Sequence, residues 1–205
     1  MVETSEQVLE EARQRGEKLL TRQFVSLIER HHPNEQGVSR ELLEAYDEAI
    51  ANDDIVPFEA GEVTSAVENR SVDEETWVDD EAVYVISDGR VSIFPARWHD
   101  ELSETTDLRV YVSVIEDVIG GADPDADEPQ GGTGASVGGG VGSGVPEQLL
   151  LDAAAVIGGL EREAAKDQLE ERRNNGELVQ DADQHPEARV LLSEEAEEMR
   201  DDWLN

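Results

Sequence analysis

Residues 145–192, "VPEQLLLDAAAVIGGLEREAAKDQLEERRNNGELVQDADQHPEARVLL", decide how the rest of the chain is read. Pro146 stands where proline is pre-set for a first helical turn. Leu149, Leu150, Ala153, Ala154, Val156 and Ile157 line one broad apolar face of a helix over 147–157. Gly158-Gly159 breaks that helix, and a charged second helix follows over 162–174. Asn174-Asn175-Gly176 stops it. Residues 177–180 then read as a strand, 181–188 as a polar loop containing Pro186, and 189–192 as a second strand.

Helix, tight turn, helix and hairpin is an order that resembles a winged helix-turn-helix. It is most similar to the small domain at the C-terminal end of archaeal replicative helicase subunits and of many archaeal regulators. The resemblance implies that Ala165, Leu169 and Leu178 occupy core aliphatic positions and that the second helix docks on DNA. Arg172 departs from the pattern, standing where the family has an apolar residue. Either its stem runs along the core or the second helix is rotated.

The cations of that helix are the candidate DNA contacts. Four of the six basic residues after Gly144 lie on it, namely Arg162, Lys166, Arg172 and Arg173, and Arg189 follows in the hairpin. Arg162, Lys166 and Arg173 fall near one face, so Arg162, Lys166, Arg173 and Arg189 form the expected DNA-binding set. The same helix carries Glu163, Asp167, Glu170 and Glu171, and the competing reading makes these cations partners in surface ion pairs at helical spacing.

The 205 residues hold 50 acidic against 16 basic side chains, a formal net charge of -34, and only Lys18 and Lys166 are lysines. That balance matches a halophile of the haloarchaeal type. In molar salt the Debye length is about 3 Å, which screens self-repulsion that would strain the compact state in dilute buffer. Cysteine is absent, so disulfides and thiol chemistry are excluded. Nowhere do about 18 apolar residues run together, and the N-terminus lacks a basic start followed by an apolar run. These features predict a cytoplasmic protein with no membrane partner.

Upstream, Val8, Ala12, Leu19, Leu20, Phe24, Leu27 and Ile28 recur at helical spacing, predicting one long helix over 5–30 or two with a break near Gly16. A helix over 40–51 follows with Ser39 as its N-cap, then a shorter one over 60–69. Residues 82–86 and 90–94 are β-rich runs joined by Ser87-Asp88-Gly89, a hairpin signal. Three helices before a hairpin allow a second winged-helix-like copy in the first hundred residues. Residues 108–119 fit a helix and a strand equally, and the resemblance favours a helix. Residues 120–144 hold ten of the seventeen glycines, so a flexible linker is expected there, either separating two domains or interrupting one.

Enzymatic motifs are missing. The glycines of the linker are followed by Val145-Pro146 rather than the Lys-Ser/Thr pair of a phosphate-binding loop, and no strand leads into them. His31, His32, His99 and His185 lack metal-ligand spacing, so capping or solvation is the expected role. No G-x-S-x-G motif occurs. Trp98 reads as core, with base stacking as the alternative.

The sequence therefore predicts a mostly helical α+β chain of winged-helix-like modules with small hairpins. Domains are expected at 1–119 and 145–205, joined by a Gly-rich linker over 120–144. It predicts no catalytic, cofactor or metal site. The expected function is a DNA-binding accessory or regulator in transcription or replication. The alternative is a protein-protein adaptor, self-association included, that never touches DNA.

Overall fold

Gly16, at a φ of 53°, breaks the first apolar run into two helices, since that backbone conformation suits glycine and strains other residues. In the computed structural model, which describes residues 4–33, 35–51, 56–120, 144–180 and 188–193, the chain forms two units, Met1–Asp100 and Glu101–Asn205. Both combine helices with a small three-stranded sheet.

Unit 1 begins with α1 (Glu6–Arg15) and α2 (Thr21–His31). Glu11 of α1 ties the pair together by accepting from Arg30 at 2.5 Å and lying 2.7 Å from the His31 ring. Next come α3 (Arg40–Ile50) and α4 (Glu62–Arg70). Ser39 caps α3 as expected, its Oγ accepting from the Leu42 amide at 3.2 Å. Of the two alternatives for the first apolar run, one long helix or two with a break near Gly16, the structure has the second, so four helices precede the hairpin.

Three short strands follow, β1 (Ser71–Val72), β2 (Val83–Val85) and β3 (Val91–Ser92). The expected hairpin is present as the antiparallel pair β2–β3, while β1 joins β2 in parallel. Val38 bridges the other edge of β3, exchanging hydrogen bonds of 2.7 and 2.9 Å with Val91. The sheet thus reads Val38, β3, β2, β1. A further helix, α5 (Ala96–Leu102), follows. Trp98, carried on α5, is fully buried and stacks on Trp77 at a centroid distance of 5.3 Å, with Tyr84 and Phe94 beside Trp77. Burying side chains of this size contributes on the order of 2–3 kcal/mol each, so Trp98 belongs to the core and is not offered to a base.

Unit 2 contains α6 (Leu108–Gly120), β4 (Val145–Pro146), α7 (Glu147–Val156), α8 (Arg162–Asn174), β5 (Leu178–Gln180) and β6 (Arg189–Leu192). Residues 108–119 are helical because α6 packs against α7, α8 and β6, burying Leu108, Tyr111, Val112 and Ile115. That packing assigns α6 to unit 2. The division therefore falls at residue 100 rather than at 119, and residues 121–143 lie inside unit 2's sequence, outside the described residues. Gly158 is required at the α7–α8 turn, since a Cβ there would meet the Tyr111 hydroxyl at 2.5 Å and the Ala154 carbonyl at 3.0 Å. The sheet is antiparallel in the order β4, β6, β5.

The two units share one connectivity. In unit 2 a helix, a bridging strand, two helices and a hairpin give the order β4, β6, β5. In unit 1 the run α2, Val38, α3, α4, β2, β3 gives Val38, β3, β2. Unit 1 adds α1 in front and inserts β1 before β2.

Candidate functional site

The third helix of the shared run is α4 in unit 1 and α8 in unit 2. On α8, Ala165 and Leu169 are buried one turn apart and fix which face is inward. Both are among the positions where buried aliphatics are expected. Arg172, one turn beyond Leu169, turns its head into a ring of ion pairs. It lies 2.8 Å from Glu177 and 3.7 Å from Asp107, and Arg109 closes the ring at 2.5 Å from Asp107 and 2.8 Å from Glu177. All four side chains are mostly buried. Burial pushes the Asp107 carboxyl up, but hydrogen bonds from Arg109 and the charge of Arg172 outweigh it and hold Asp107 below its ordinary range.

The four expected DNA contacts differ in their surroundings. Arg162 is drawn back onto α7, where it pairs with Asp152 and Gln148. Arg189, on β6, donates to the Gly144 carbonyl at 2.9 Å. Arg173 borders a groove of about 530 Å³ between the end of α8 and β5, together with Glu170, Asn174, Leu178, Val179 and Gln180. Lys166 is exposed. Around Lys166, the exposed charges of α8 are Glu163, Asp167, Glu170 and Glu171.

The corresponding helix of unit 1, α4, exposes Glu62, Glu68, Asn69 and Arg70. Arg40 of α3 pairs with Glu44 at 2.9 Å and with Glu68 at 2.7 Å. The N-terminus of α4 follows Gly61, which has no side chain to cap it, and the buried Asp47 of α3 supplies the cap. Its carboxylate accepts from the amides of Val63 at 3.2 Å and Thr64 at 2.8 Å, and from the Thr64 hydroxyl.

Sequence reasoning overlooked Asp47, Asp107, Arg109 and Glu177. A signal existed for Asp107 in the polar residues leading into the apolar run at Leu108. His31 and His32 stand at the C-terminal end of α2 as expected, and the described histidines also have side-chain partners. His31 lies against Glu11, His32 Nε2 sits 2.8 Å from the Tyr46 hydroxyl, and His99 is buried with Nε2 2.7 Å from Ser92 Oγ. His185 lies outside the described residues. Among the described residues no group of three His, Asp or Glu is placed to hold a metal ion, and no helix is long and apolar enough to cross a membrane. Compared with protein-family models, with curated proteins and with solved structures, the chain has no significant match.

Proposed function

We propose that the chain is a protein-protein adaptor built from two winged-helix-like units and suited to a molar-salt cytoplasm. The winged-helix assignment is supported by the order α6, β4, α7, α8, β5, β6 with its β4, β6, β5 sheet, and by the recurrence of that order in unit 1. The observation that carries the adaptor reading is the exposed face of α8. Duplex DNA presents about one phosphate charge per 1.7 Å of its axis, so a helix entering its groove needs cations there. This one offers Glu163, Asp167, Glu170 and Glu171 around the single Lys166, while Arg162 and Arg172 are held in ion pairs within the unit. Such a face repels phosphates and complements a basic protein surface.

The second reading is a DNA-binding accessory or regulator. Exposed Lys166 and the position of Arg173 at the groove favour it. Titration of labelled duplex DNA with the full chain at molar KCl separates the two. The adaptor reading predicts no saturable binding, and saturable binding would transfer the assignment to the second reading.

A further inference from the structure

Among the described residues β5 is the outer strand of the unit 2 sheet, and the groove beside α8 is lined by its residues. β5 pairs with β6 through Leu178↔Leu192, Val179↔Leu191 and Gln180↔Val190. One step back, the Ser193 amide donates to the Glu177 carbonyl at 3.0 Å. Antiparallel ladders alternate between hydrogen-bonded and open pairs, so Val179 shares its bonds with Leu191. Leu178 and Gln180 then turn their backbone N–H and C=O groups away from β6. The opposite edge of the same sheet is blunted by Pro146 on β4, which has no N–H to donate. β5 carries no such residue. Its middle side chain, Val179, is 49% exposed, although Leu178 on the other face is buried.

The groove of about 530 Å³ runs beside this edge, and Glu170 and Arg173 both line it. Glu163 and Asp167 precede Glu170 by two turns and one turn of α8, so the three carboxylates form one exposed stripe leading into the groove.

Building on the adaptor reading, we infer that β5 and the acidic stripe of α8 together take an extended, basic segment of a partner protein as an added strand. Backbone pairing at Leu178 and Gln180 supplies the register. An apolar side chain of the segment covers Val179, and its lysines or arginines run along Glu170, Asp167 and Glu163. Main-chain hydrogen bonds give such a complex its affinity, and alternate side chains give it specificity. The charge of the stripe selects a cationic partner over an acidic one.

The test uses the full chain and a fluorescent peptide of about ten residues alternating lysine and valine, with anisotropy read at molar KCl. Saturable binding is expected. N-methylation of alternate peptide amides, which leaves charge and side chains in place, should abolish it. Gln180→Pro removes an outward N–H without touching the β5–β6 ladder and should weaken binding by about tenfold or more; it also removes the hydrogen bond that the Gln180 side chain donates to Glu147, so its melting temperature is measured beside that of the wild type. Val179→Asp should weaken it to a similar degree and serves if the proline variant fails to fold. Undiminished binding of the N-methylated peptide or by Val179→Asp would overturn the strand-addition site. If neither the peptide nor duplex DNA binds, the site is overturned while the adaptor reading stands. If DNA binds and the peptide does not, both fall.

Discussion

Glu29 sits fully inside unit 1 with its Oε2 accepting the Ile93 amide at 3.1 Å and its Oε1 without a hydrogen-bond partner. Burial pushes its carboxyl up to about 7, against hydrogen bonds from Ser92 and Ile93 and the charges of Arg22 and Arg90. His99, on the far side of Ser92, is pushed down by burial to about 4. The two groups act on stability with opposite signs. An unfolded chain ionises Glu29 near 4.5 while the folded chain holds it neutral to about 7, so stability is lost as pH rises through that window and levels off above it. His99 binds its proton near 6.5 when unfolded and near 4 when folded, so stability is lost as pH falls through that window. Each shift corresponds to roughly 3 kcal/mol, and together they flatten the profile. Glu29→Gln removes one slope and exposes the other. Denaturant melts should show the variant gaining on the wild type by about 3 kcal/mol between pH 4.5 and 7, and a pH-independent difference would sink this account.

At the scale of elements, α4 is held by a cap that comes from another helix. Asp47→Ala leaves the Val63 and Thr64 amides and the Thr64 hydroxyl without their acceptor, and should destabilise unit 1 by about 2 kcal/mol in urea melts. Asp47→Asn keeps an acceptor and should cost less, and equal losses would contradict the capping role. This cap also marks where sequence reading reaches its limit. The boundaries of α8, the Ser39 cap and β6 are legible because each is set within a few residues, by glycines, hydroxyls or period. β1 is two residues long and exists through its parallel pairing with β2. Val38 becomes part of a sheet only through Val91, and Asp47 becomes a cap only through α4. Those relations join residues far apart in sequence, where periodicity carries no signal. The candidate site divides the same way. The helix and its cations could be read from the chain, but the turn of Arg162 towards Asp152 and of Arg172 towards Glu177 is decided by neighbouring elements.

Across the whole molecule, the net charge of -34 dominates behaviour in dilute buffer. Lowering KCl from molar to about 0.1 M lengthens the Debye distance from about 3 Å to about 10 Å and brings like charges within reach of one another. The unfolding midpoint should therefore fall steeply on dialysis, and a melting temperature independent of salt would contradict the halophilic reading. The same acidity shapes what the surface can bind. The adaptor account requires that α8, the element best placed to enter a DNA groove, does not do so. The most direct measurement is the anisotropy of labelled duplex DNA titrated with the folded chain over a series of KCl concentrations, comparing wild type with Lys166→Glu/Arg173→Glu. The account predicts no saturable binding by either protein. Saturable wild-type binding that weakens in the double variant, with a salt slope reduced by about one unit per lost contact, would contradict it.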